Sequence, residues 1–183
     1  MTKNEQRTSR FLSLVLRHDP GAIGLSLDAE GWADVKTLLD RLKEHRKSVT
    51  RDMLENIVSE NNKQRFHFSE DGTRIRAAQG HSIEIDFKLV AKTPPDVLYH
   101  GTASRFVEEI ANDGILKMSR QHVHLCEDPR AAHLVGQRHG RAIILEIAAK
   151  LMTSHGHQFY LSENGVWLTE HVPPDYLNRR FKL

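Results

Sequence analysis

The sequence predicts an α+β protein built in two parts. Three observations predict it. Helical periodicity fills the first sixty or so residues, a hairpin pattern follows, and short β-rich runs with two helical stretches occupy the rest.

The first helix is expected over Thr8 to Arg17. Leu12, Leu14, Val15 and Leu16 supply its apolar surface, and Pro20 stops it. In "GWADVKTLLDRLKEH", Val35, Leu38, Leu39 and Leu42 recur at helical spacing, with Asp34 as the N-cap. "TRDMLENIVSEN" repeats the pattern through Met53, Leu54, Ile57 and Val58, capped by Thr50. In "QRFHFSEDGTRIRA", Phe66, Phe68, Ile75 and Ala77 alternate with polar residues around Asp71-Gly72, a hairpin signal. Three helices and a hairpin is the order of a winged helix. It is equally the order of a small helical domain whose hairpin is only scaffold.

"AKTPPDVLYHG" reads as the seam, because Pro94-Pro95 neither continues a helix nor pairs in a central strand. The expected parts are residues 1–92 and 93–183. Beyond the seam, "VLYHG", "VHLCE", "AIILEIAA" and "VWLTEHV" read as strands. Helical stretches fall near Arg105–Asn112 and Asp128–His139. That order predicts an α+β domain with a curved or split mixed sheet.

Of 183 residues, 39% are hydrophobic and 27% charged, which is globular composition. A formal charge of +2 neither demands nor excludes a nucleic-acid partner, so a local basic patch would have to attract one. One cysteine, Cys126, rules out an internal disulfide and suggests a reducing compartment. The polar start has no apolar stretch of a secretory signal, and no apolar run reaches spanning length. The expectation is a cytoplasmic monomer with no membrane partner.

Arg17-His18 joins a fixed cationic fork suited to phosphate with a group that exchanges protons near neutrality. Cations at a helix C-terminus are also stabilised by the macrodipole, which explains the pair without any function. Lys63, Arg65 and His67 alternate, so in a strand they share a face that Arg76 could join. Such a face is either solvated or phosphate-gripping. In "YHGT", Gly101 between His100 and Thr102 fits a turn or a close backbone approach to a ligand. His122, His124 and Cys126 alternate as a zinc set would, but solvent-facing histidines explain them better, and no metal is expected. No Walker loop, dinucleotide fingerprint or nucleophile elbow occurs.

The stretches "SRFLSLVLRHDP", "LDAEGWADVKTLL", "NKQRF", "IRAAQGHS", "TPPDVLYHGT", "VHL" and "ENGVWLT", in that order, resemble the RNA 2′-phosphotransferases along nearly the whole chain. The resemblance implies a winged-helix-like RNA lobe followed by an ADP-ribosyltransferase-like lobe that binds NAD+. It implies a two-step reaction. An internal RNA 2′-phosphate attacks C1″ of the nicotinamide ribose and nicotinamide leaves. O2″ then attacks phosphorus, releasing 2′-hydroxyl RNA and ADP-ribose 1″,2″-cyclic phosphate.

The family's catalytic set falls on Arg17, His18, Arg65 and Arg120. Its NAD+ contacts fall on His100, Gly101, Thr102, Asp113, Gly114, Ile115, His124 and Val166. RNA contacts are expected at Arg17, Lys63, Arg65 and Arg76, on a tRNA-like substrate. A hydrophobic residue at 166, where related transferases carry a glutamate, offers no carboxylate to activate a protein acceptor. Cys126 stands where many relatives carry serine, which implies a weakened cofactor contact and a thiol open to oxidation. Two alternatives remain: ADP-ribosylation of terminal RNA or DNA phosphates by the same fold, and a non-enzymatic nucleic-acid-binding regulator.

Overall fold

The computed structural model describes residues 2–60 and 64–180, and the chain divides into two compact units, Met1–Lys88 and Leu89–Leu183. Ala91 bridges Tyr160, and the Lys92 amide donates to the Phe159 carbonyl at 2.8 Å. The connector is therefore already bonded within the second unit before the prolines are reached.

In the first unit, helix α1 spans Lys3–Arg17, five residues more than the periodicity suggested. A reciprocal cap explains the extra turn. The Thr2 hydroxyl accepts from the Glu5 amide, and the Glu5 carboxylate accepts from the Thr2 amide. The helix stops because Pro20 opens a short 3₁₀ turn, whose Ala22 amide is capped by Asp19 at 3.0 Å. A two-residue strand, β1 (Ala33–Asp34), leads into α2 (Val35–Glu44), capped by Asp34 as expected. Thr50 caps α3 (Arg51–Ser59). Strands β2 (Phe66–Phe68) and β3 (Arg74–Ala77) form the expected hairpin. Asp71 holds the turn, accepting from the Ser69 hydroxyl at 2.6 Å and the Thr73 amide at 3.0 Å.

Strand β1 adds antiparallel to β3, giving the order β1-β3-β2. It was not expected, since two residues are too few for a periodicity. Leu12, Val15, Leu16, Leu38, Leu42, Leu54, Ile57, Phe66 and Ile75 form the core under this sheet.

The second unit contains β4 (Leu98–Ala103), α4 (Val107–Asp113), β5 (Ile115–Leu116), β6 (Val123–Leu125) and α5 (Pro129–Gly136). There follow β7 (Ala142–Ile147), α6 (Ala149–Ser154), β8 (Tyr160–Leu161), β9 (Trp167–Thr169), β10 (His171–Val172) and β11 (Leu177–Arg180). Among the described residues the expected mixed sheet is not found. The named strands pair antiparallel throughout, in the small sheets β11-β7-β4, β6-β9-β8 and β10-β5. Leu98, Leu125, Leu145, Ile147, Met152, Phe159, Trp167 and Val172 fill the core.

Gly101 lies in the interior of β4, opposite Ile144, and not in a turn. A Cβ there would sit 1.7 Å from the Ala132 carbonyl oxygen of α5. One at Gly136 would sit 2.6 Å from the Thr102 carbonyl oxygen. The two glycines let the backbones of α5 and β4 touch, and the neighbouring helix by itself demands a glycine at 101. Gly101→Ala is expected to destabilise the protein by more than about 3 kcal/mol in denaturant melts, because backbone cannot yield as a side chain would.

Candidate functional site

In the first unit Arg17, His18 and the backbone of Arg65 meet at the C-terminal end of α1. Arg17 is the last helical residue and His18 its C-cap. The Arg17 Nη2 donates to the Arg65 carbonyl at 3.2 Å, across 48 residues of sequence. The same carbonyl accepts from the Ala78 amide at 2.9 Å, so the hairpin entry is tied to both the helix and the return strand. His67 stands opposite Arg76 in the β2–β3 register, and the Arg76 guanidinium stacks over Trp32 at 4.3 Å. Lys63 lies outside the described residues.

Two further residues of "IRAAQGHS", His81 and Ser82, also belong here. The Ser82 amide donates to the Arg17 carbonyl at 3.0 Å, and its hydroxyl lies 2.9 Å from His18 Nδ1. Ser82 therefore holds both the end of the helix and the imidazole. His81 is buried, with its ring edge-on to Phe87 at 4.9 Å. Burial, then the charges of Arg17 and His18, push its pKa down to about 4. Spacing alone would not have found either residue, since each acts through the end of a helix 64 residues earlier or more than that.

In the second unit one cavity of about 400 Å³ is walled by His100, Gly101, Thr102, Asp113, Gly114, Ile115, Arg120 and His124, among others. His100 comes from β4. Its Nδ1 lies 3.0 Å from the His124 carbonyl, which only accepts, so the proton sits on Nδ1 and Nε2 is left as an acceptor. Burial lowers its pKa and keeps the ring neutral. Arg120 Nη1 donates to His124 Nδ1 at 2.9 Å, so His124 carries its proton on Nε2. The two histidines are thus held in opposite tautomers, one an acceptor and one a donor.

Gly114 ends α4 at φ +78°, and a Cβ there would meet the Val172 carbonyl oxygen at 2.2 Å. The His171 Nε2 donates to the Asp113 carbonyl at 2.9 Å. These contacts fix the turn that brings Asp113 and Ile115 to the wall. The wall also includes Phe106, Glu109, Met118 and His139, which the motifs did not indicate.

Val166 and Cys126 are not part of this wall. Val166 closes the β8–β9 turn, its amide donating to the Ser162 hydroxyl at 2.9 Å. Cys126 Sγ lies 3.4 Å from the Asp128 carbonyl and 3.5 Å from the Tyr99 carbonyl. Burial pushes its pKa up to about 11, against the thiolate that oxidation requires. His122 packs edge-on against Tyr160 at 5.8 Å. Among the described residues no group of three His, Cys, Asp or Glu side chains is placed to hold a metal ion. Nor is any helix among them long and apolar enough to cross a membrane.

Residues 3–171 match the model of the RNA 2′-phosphotransferase, Tpt1 / KptA family. A protein of Hahella chejuensis named probable RNA 2′-phosphotransferase is 52% identical over 97% of this chain and 96% of its own length. Proteins of the same name from Fusobacterium nucleatum and Acaryochloris marina are 49% and 48% identical. They cover 95% and 96% of this chain, and 98% and 97% of themselves. The chain belongs to the RNA 2′-phosphotransferase family.

His81 gives a pH prediction. The unfolded chain binds a proton near pH 6.5, whereas the folded ring binds one only near 4. Its contribution is complete above pH 6.5 and is lost as pH falls toward 4, by up to about 3 kcal/mol. Denaturant melts across that window should show a steeper acid loss for the wild type than for His81→Gln. Parallel pH curves would contradict the assignment.

Proposed function

We propose that this protein is an NAD+-dependent RNA 2′-phosphotransferase. The observation that carries the reading is the cavity of the second unit. Seven of the eight positions that the family resemblance assigns to NAD+ lie along that one wall, with Arg120 beside them. The first unit, three helices against a small antiparallel sheet, suits a winged-helix-like RNA lobe. The second suits an ADP-ribosyltransferase-like lobe.

The cavity fits a dinucleotide in size class and in chemistry. His100 Nε2 is an acceptor for a ribose hydroxyl, the Thr102 hydroxyl and His124 Nε2 can donate, and Arg120 supplies a fixed cation. When bound, NAD+ supplies an electrophilic ribose carbon and a good leaving group. The protein's task in the first step is alignment, because a phosphate is already a nucleophile.

The second step builds negative charge on the phosphoryl group. Arg17, Arg65 and Arg120 carry guanidiniums suited to that charge, each worth roughly 10²–10³ in rate by analogy with oxyanion donors. His18, oriented through Nδ1 by Ser82, presents Nε2 for proton transfer or for a hydrogen bond to phosphate, with general acid–base help worth about 10²–10⁴. The Arg17–Arg65 link explains why the hairpin entry and the helix end would act together.

The test is a short RNA with one internal 2′-phosphate, incubated with and without NAD+. Conversion to 2′-hydroxyl RNA should require NAD+. Arg65→Ala should slow the second step by about 10²–10³ and accumulate ADP-ribosylated RNA. Conversion without NAD+ would overturn the mechanism. A stable ADP-ribosylated terminal phosphate with no 2′-phosphate removal would replace it with end-capping.

A further inference from the structure

We propose that the exposed face of α1 is a track for the RNA strand that flanks the 2′-phosphate. The proposal rests on the function proposed above and extends its substrate contacts beyond the reacting phosphate.

Lys3, Arg7, Arg10, Leu14 and Arg17 follow one another at steps of four, three, four and three residues. At 3.6 residues per turn they fall within a sector of about 80°, one continuous stripe along the helix. Lys3, Arg7, Arg10 and Leu14 are exposed, and Arg17 is half-buried where the stripe ends. The opposite side of the helix carries Leu12, Val15 and Leu16 into the core, so the stripe cannot rotate inward. The only acidic residue of α1 is Glu5, which lies about 160° from Lys3 on the helix and is committed to the N-terminal cap. Among the described residues no ion pair neutralises Lys3, Arg7 or Arg10.

These features identify the partner by its chemistry. The cations are evenly spread along the helix, which suits a polyanion better than a single small anion. The stripe runs without a break into Arg17, at the proposed phosphate-handling end of the helix. An RNA strand has charges repeating along its length, and one of its phosphates would already be engaged there. Leu14, 42% exposed between Arg10 and Arg17, offers apolar surface to a sugar or base edge. Contacts of this kind are made to backbone and carry no sequence preference.

Salt dependence separates this stripe from an ordinary solvated helix face. Each phosphate contact to a single strand contributes about 0.7 to the slope of log affinity against log salt. Binding of 2′-phosphorylated RNAs is measured by fluorescence anisotropy over a range of salt concentrations. One RNA is too short to leave the helix end, and others are extended on the 5′ side or the 3′ side. For the wild type, extension on one side should tighten binding and steepen the slope. Arg7→Gln/Arg10→Gln should abolish that advantage and make the slope shallower by about 1.4. Arg7→Lys/Arg10→Lys should retain most of it, since the contact needs charge and not a fork. Glutamine and lysine both favour helix, and a thermal melt of each variant checks the fold.

An unchanged slope and length advantage in a natively melting Gln variant would overturn the proposal, even if the protein removes 2′-phosphates. If the Gln variant loses the salt-dependent grip but neither protein removes 2′-phosphate, the track stands as an RNA surface and the catalytic reading falls.

Discussion

At Gly101 and Gly136, α5 lies on β4 with no side chain between the two backbones. The cavity of the second unit depends on that contact. β4 carries His100 and Thr102, whereas Val135 and His139 come from the helix end and the turn after it. With the backbones this close, residues on both elements reach one wall. His100 then meets the His124 carbonyl, and His124 in turn receives Arg120. Each link fixes the next: packing sets the place of His100, the carbonyl sets its tautomer, and the guanidinium sets the opposite tautomer of its neighbour. A wall that is mostly apolar gains a few polar groups of defined sense, which is what orients a ligand.

The first unit works through charge. Arg17, His18 and Arg76 lie close enough to His81 to oppose its protonation, and burial does the rest. A neutral ring there avoids adding one more cation to a cluster that already concentrates positive charge. Such a cluster is stabilised by an incoming anion and strained without one. Ser82 joins this cluster to the helix end through backbone and hydroxyl together, so the sequence "GHS" supplies a neutral packing group and a positioning group in adjacent residues.

Local signals are legible in the sequence. Asp34 and Thr50 cap helices because a short side-chain oxygen reaches a free amide, a relation complete within four residues. The hairpin around Asp71-Gly72 is equally local. What failed to show in the sequence depends on distant partners. The demand on Gly101 comes from Ala132, the strand β1 exists only by pairing with Ile75 and Arg74, and Ser82 acts on a helix that ends far before it. The expected mixed sheet became small antiparallel ones, because strand direction is set by connections that short apolar runs do not encode. Seven of the eight positions taken from motif order line the cavity, and Val166 lies in the β8–β9 turn.

The central claim is that His100 and His124, locked in opposite tautomers, line the pocket proposed to receive NAD+. Side-chain nitrogen NMR of the histidines tests it directly. The free protein should show His100 protonated at Nδ1 and His124 at Nε2, and both resonances should move on addition of NAD+ while those of exposed His155 stay. The same tautomer on both rings, or a saturating addition of NAD+ that leaves both unmoved, would contradict the account.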